Sequence, residues 1–233
     1  MSGHIIKQFD TDLENIRTRV MQMGGLVEQQ IVKAMEGLTS GDLHLIEQTI
    51  ANDTLVNRLE LELDEACTNI IARRQPAASD LRMVMMVVKT ITDIERIGDE
   101  AKKIAKKARS IYSAETRFAP NIELRNISGL AVAMLRQALD AFARLDLNAA
   151  AQVVRQDVEV DAEFKGITRQ LITFMMEDPR TITGSLDLMF IAKSIERIGD
   201  HAKNISEYVI YMAKGRDVRH SSLAEIEKEV AGN

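Results

Sequence analysis

The chain has no tryptophan, one cysteine and three prolines in 233 residues, and aromatic residues make up only 4% of it. A lone Cys67 excludes an intramolecular disulfide and suits a reducing compartment. With so few prolines, long stretches carry no helix breaker, and Pro76, Pro120 and Pro179 are expected where helices end. Long apolar runs are missing as well: a run such as Met83–Val88 falls far short of a bilayer span. The first ten residues lack the apolar centre of a signal peptide. Positive charge is not in excess: the formal net charge is −5 with Lys and Arg dispersed, which argues against a nucleic-acid footprint. These absences predict a soluble, cytoplasmic chain that does not bind nucleic acid.

What is present is helix-forming. The hydrophobic fraction is 45%, and Ala, Leu, Ile, Met, Glu, Gln, Lys and Arg dominate. Phe9, Leu13, Ile16, Val20, Met23, Val27, Ile31, Ala34 and Leu38 step by three and four, the period of a helix burying one stripe. Gly24-Gly25 interrupt that stripe, at roughly 1 kcal/mol each relative to alanine, which suggests a neighbouring helix in close approach. Further helices are expected over about 42–74, 79–112, 121–144, 148–177 and 182–214, with a short polar one of little consequence over 222–230. No strand pattern competes. The fold class is all-α.

The stretch Ile-Glu-Arg-Ile-Gly-Asp occurs twice, at Ile94–Asp99 and Ile195–Asp200, each time followed by Ala-Lys and an isoleucine. The rest of the second half follows the first in register: Asp42-Leu43 matches Asp146-Leu147, Asp53 matches Asp157, and Pro76 matches Pro179. A repeat of this length means two copies of one supersecondary unit. The predicted architecture is two tandem three-helix bundles, residues 1–116 and 117–218, with a C-terminal tail over 219–233.

Each copy carries an acidic pair four residues apart, Glu95/Asp99 and Glu196/Asp200. At ~100° per residue, Glu95 and Asp99 lie about 135° and 175° from the apolar seam, so these carboxylates are expected to face solvent. The preceding helices add Asp53/Asn57 and Asp157/Asp161, roughly 90–130° from their own seams. Oxygen ligands at i and i+4 are close enough to share a cation. A donor set without thiolate is hard, suited to magnesium, manganese, calcium or oxidised iron. The ordinary alternative is a solvated helix face with surface ion pairs from Arg96, Lys102 and Lys103. His201 reads as a solvated histidine rather than a ligand, Cys67 as no nucleophile, and Met83, Met85, Met86, Met175 and Met176 as core filler.

A ferritin-like di-iron enzyme would need Glu-x-x-His ligands. The residues three before His44, His201 and His220 are Gly41, Ile198 and Asp217, and Met1 precedes His4. No Walker-type or dinucleotide glycine loop is present either. The sequence therefore points away from catalysis.

These residues resemble the phosphate uptake regulator (PhoU) family over essentially the whole chain. Glu95-Arg96-Ile97-Gly98-Asp99 and Glu196-Arg197-Ile198-Gly199-Asp200 match its duplicated signature, as do Asp53–Asn57 and Asp157–Asp161, with Asn57 departing from the acidic residue of the second half. The resemblance implies a cytoplasmic, non-catalytic negative regulator of the phosphate-starvation response. It implies an adaptor between the ATPase subunit of a phosphate ABC transporter and the PAS-containing cytoplasmic region of a sensor histidine kinase, reaching the membrane through those partners and forming a homodimer. Some members carry metal on the acidic motifs, so iron, zinc, manganese or magnesium are implied at Asp53, Asn57, Glu95, Asp99, Asp157, Asp161, Glu196 and Asp200, with none obligatory.

Overall fold

The computed structural model describes residues 2–113 and 120–232. The described residues form helices α1 (Ser2–Ser40), α2 (Leu43–Arg74), α3 (Ala78–Ser113), α4 (Arg125–Arg144), α5 (Leu147–Glu177), α6 (Ile182–Lys214) and α7 (Leu223–Ala231), with a 3₁₀ turn at Pro179–Thr181 before α6. Pro76 and Pro179 sit between helices, as their missing N–H requires. The expected boundary between units at 116/117 lies outside the described residues. The fourth helix begins at Arg125, four residues later than its apolar pattern suggests.

Local chemistry sets the helix starts twice in the same way. The Asp42 carboxylate accepts from the backbone N–H groups of His44 and Leu45 at 2.9 and 3.1 Å. Asp146 does the same for Asn148 and Ala149 at 2.9 and 3.1 Å. Each cap satisfies donors that the first helical turn leaves orphaned. Gly41 closes the α1–α2 turn at φ +72°, a left-handed conformation that glycine adopts without a Cβ clash.

The helices α1, α2 and α3 pack together, as do α4, α5 and α6. The two bundles then join along α3 and α6, with α1 also meeting α4. The α3–α6 contact is antiparallel: Arg82 reaches Tyr211 at one end, and Lys107 reaches Asp187 at the other. The hexapeptides sit near the middle of this crossing. Its two ends repeat one contact. The Lys89 ammonium lies 5.6 Å from the Tyr208 ring centre, and Lys107 lies 4.8 Å from that of Phe190. Lys89 and Lys107 correspond in register to Phe190 and Tyr208, so the halves are related by an approximate two-fold axis through the crossing.

At Gly24, α1 packs close against α4: a Cβ there would lie 2.5 Å from Leu139 Cδ1, while one on Gly25 would meet nothing within 4 Å. Only the first glycine is a close-approach residue. The tail is more than incidental. A capping box between Ser222 and Glu225 starts α7, Ile226 is buried, and Arg155 on α5 pairs with Glu227. A nine-residue helix is marginal alone, and burying one isoleucine contributes roughly 1.5–3 kcal/mol toward holding it.

Candidate acidic sites

On α2 the buried residues are Ile46, Thr49, Asp53, Val56, Leu63, Cys67 and Ile70, a single three-four stripe. Asp53 stands inside that stripe at 1% exposure. On α5, Asp157 occupies the matching position between Val153 and Val160, at 7%. The expectation that these carboxylates face solvent is therefore wrong for Asp53 and Asp157. It fails because an apolar count passes over a charged residue standing in a core position. Glu196 is buried too, because α6 is covered by α3, α4 and α5 at once. Glu95, Asp99, Asp161 and Asp200 are half-buried, and Asn57 lies beside Asp53 with its Nδ2 at 3.5 Å.

A buried carboxylate must be matched in charge, and Asp53 and Asp157 both are. Lys102 Nζ donates to Asp53 Oδ2 at 2.6 Å, and Lys203 Nζ donates to Asp157 Oδ2 at 2.7 Å. These are the lysines that follow the two hexapeptides. Gln30 of α1 adds a long contact to Asp53 from its Nε2 at 3.4 Å. Gly98 makes room for that arrangement, since a Cβ there would stand 3.3 Å from Gln30 Oε1. Losing one member of such a pair leaves an uncompensated buried charge, at a cost of about 3–5 kcal/mol.

The two motifs of each half do come together, and the halves differ in balance. In the first, Lys102 also stands 4.0 Å from Asp99. The Glu95 carboxyl is pushed up by burial, then by Asp99, Glu60 and Asp53. Glu60 is pushed up by burial, then by Asp64 and Asp99. In the second half, Phe164 and Thr168 replace Glu60 and Asp64, and a second lysine, Lys193, reaches Glu196 at 2.5 Å. Asp200 is pushed up to about 6, chiefly by burial and then by Glu196 and Asp157. The first half thus holds more negative charge, although Asn57 suggests the reverse.

Other polar groups lie in the seam between the halves. His201 is buried, with Nδ1 2.7 Å from Asp93 Oδ1, so it is neither a solvated residue nor part of the acidic cluster on its own helix. Asn204 approaches the same Asp93 oxygen at 3.3 Å. The Tyr208 hydroxyl stands near the same carboxylate, and burial followed by Asp93 raises its pKa. Nearby, the buried Glu100 takes Lys103 and Arg197 at 2.9 Å each. Arg197 on α6 therefore bridges the halves to Glu100 on α3. Burial, then Asp64, pushes the Cys67 thiol up to about 12, which leaves it inert as a nucleophile. Of the methionines expected in the core, Met86 is buried, but Met85 and Met176 are exposed, Met176 at 80%.

The donor set does not fit a resident metal as arranged. Among the described residues no three His, Cys, Asp or Glu side chains converge, and the innermost oxygen of each cluster is already held by ammonium. The residues that sequence reasoning underweighted are Lys102, Lys203, Lys193, Glu60 and Asp64. The repeated Ala-Lys after each hexapeptide was the signal for the first two.

The PhoU domain model matches this chain twice, over residues 20–108 and 124–209. The chain is 48% identical over 228 residues to the phosphate-specific transport system accessory protein PhoU of Serratia marcescens, covering 98% of this chain and 93% of that one. It is 47% identical over 232 residues to the protein of that name from Escherichia coli (strain K12), covering 100% and 96%. Among solved structures, PhoU from Pseudomonas aeruginosa superposes with a TM-score of 0.85 at 44% identity, over 89% of this chain and 100% of that one. The phosphate transport system regulatory protein PhoU from Streptococcus pneumoniae gives 0.83 at 27% identity, over 90% and 99%.

Proposed function

The chain belongs to the PhoU family, and from that premise we propose that it is a cytoplasmic, non-catalytic accessory protein of a phosphate transport system. In this reading it holds the phosphate-starvation response off by linking the transporter's ATPase subunit to a sensor histidine kinase, and it works as a homodimer. The observation that carries the reading is the match to proteins named as accessory and regulatory components of phosphate transport, over 100% and 90% of the chain respectively. Side-chain chemistry agrees with a regulator: the one thiol is buried and His201 is committed to Asp93. Among the described residues no helix is long and apolar enough to cross a membrane, so a membrane partner is met by surface contact. Regulation then consists of a difference in affinity between partner states.

The test is a pull-down with the full chain from membranes of phosphate-replete and phosphate-starved cells, with the recovered proteins identified by mass spectrometry. Recovery of the transporter ATPase and the kinase, in proportions that change with phosphate, is expected. Recovery of neither in either condition would overturn the adaptor reading. Light scattering on the purified chain tests the dimer separately.

A further inference from the structure

We propose that Lys102 and Lys203 are the resident cations of the two acidic clusters, each ammonium holding the position that a metal ion takes in a carboxylate site. The inference stands apart from the transporter reading and concerns only what neutralises these carboxylates. Lys102 Nζ sits 2.6 Å from an Asp53 oxygen and 4.0 Å from Asp99, spanning the α2 and α3 motifs as a shared cation would. Lys203 makes the equivalent 2.7 Å contact to Asp157. Both lysine side chains are themselves largely covered, at 27% and 34% exposure. A tethered ammonium needs no supply from solution, so the aspartates stay paired at any metal concentration. A divalent ion entering at Asp53 or Asp157 must expel a lysine that is itself largely covered, and then stand beside it.

The second cluster is closed further by Lys193 on Glu196, with Lys165 4.0 Å from Asp161. The first has one lysine among Asp53, Glu60, Asp64, Glu95 and Asp99. Removing the ammonium there would leave the Asp53 and Asp99 carboxylates, from two helices, without the cation they share, and a hard divalent ion that replaced it would have to draw further oxygens in. Removing Lys203 leaves Lys193 in place. The two lysines are thus equivalent in position and unequal in consequence.

The test uses the full chain, stripped with EDTA, in equilibrium dialysis against Mn²⁺ with elemental analysis, together with thermal melts. Wild type is expected to bind no stoichiometric Mn²⁺. Lys102→Met should be destabilised without metal and should bind Mn²⁺ about tenfold or more tightly than wild type, because a positive charge has left the site. Its melting temperature should recover on adding Mn²⁺. Lys203→Met should gain less. The neutral pair Asp53→Asn/Lys102→Met should regain stability and bind no metal. If Lys102→Met folds only with Mn²⁺ present, the proposal is supported. Stoichiometric binding by wild type that Asp53→Asn abolishes would overturn it. So would a folded Lys102→Met without gain in affinity, or one that Mn²⁺ fails to rescue.

Discussion

Two adjacent glycines in the middle of α1 should respond to the same substitution in different ways. In a helix interior, Gly→Ala contributes about 1 kcal/mol of stability when nothing opposes the new methyl. At Gly25 nothing lies within 4 Å of that methyl, so the full gain is expected. At Gly24 the methyl would stand 2.5 Å from Leu139 Cδ1 and 3.0 Å from Cδ2. Leu139 is 4% exposed and cannot swing into solvent. Overpacking of this kind costs roughly 1–3 kcal/mol, which cancels or outweighs the helix gain. Gly25→Ala should therefore exceed Gly24→Ala in stability by about 1–3 kcal/mol, or several degrees in Tm at roughly 2–4 °C per kcal/mol for a chain of this size. Urea denaturation followed by circular dichroism measures both. As a second reading, Leu139→Ala should cost less in the Gly24→Ala background than in wild type, because the new methyl partly fills the space. Equal stabilisation by both glycine substitutions would show that α1 and α4 do not pack as closely as the structure places them, and the description of the joint between the halves would fall with it.

A pH effect follows from two carboxyls. Burial pushes Glu207 up from 4.5 to about 7 against the opposing Lys203, and Asp200 rises from 3.8 to about 6. A raised carboxyl pKa gives stability that is complete below the unfolded value and lost as pH rises through the folded one. For these groups that window runs from about pH 4 to pH 7, and Glu207 alone accounts for about 3 kcal/mol across it. Glu207→Gln should flatten the fall in urea midpoint between pH 5 and pH 8; an unchanged slope would count against the burial of that acid. Asp93→Ala should cost about 2–3 kcal/mol by leaving His201 and Asn204 without their common acceptor; a change within error in the urea midpoint would show that the seam contact is dispensable. Ile226→Ala should release α7 from α5 at a cost of about 2–5 kcal/mol to that local unit, seen as faster amide exchange over residues 223–231 with little change in the α3–α6 core.

Much of the fold is readable in the chain because helix chemistry is local. The Asp42 and Asp146 caps, the breaks at Pro76 and Pro179 and the steps of three and four along α1 each depend on residues within a turn or two of one another. The hexapeptide and its trailing lysine carry the duplication directly. The acidic sites were legible in composition and not in placement. Val56, Leu63 and Ile70 mark the α2 seam correctly, yet an apolar count drops Asp53 from it. Leucine is stable in a core position by itself, whereas aspartate is stable there only if a cation arrives from another helix. The same reasoning misplaced His201, whose partner Asp93 lies 108 positions earlier.

The sequence by itself determined which segments are helical, where they stop and that one three-helix unit is present twice, because capping, breaking and periodicity act along the chain. Tertiary structure alone decided that Asp53 of α2 and Asp157 of α5 are buried, that Lys102 and Lys203 close on them, and that α3 and α6 form the centre. Those outcomes rest on charges and surfaces brought together from distant positions, and a charge is affordable inside a protein only where its partner is already in place.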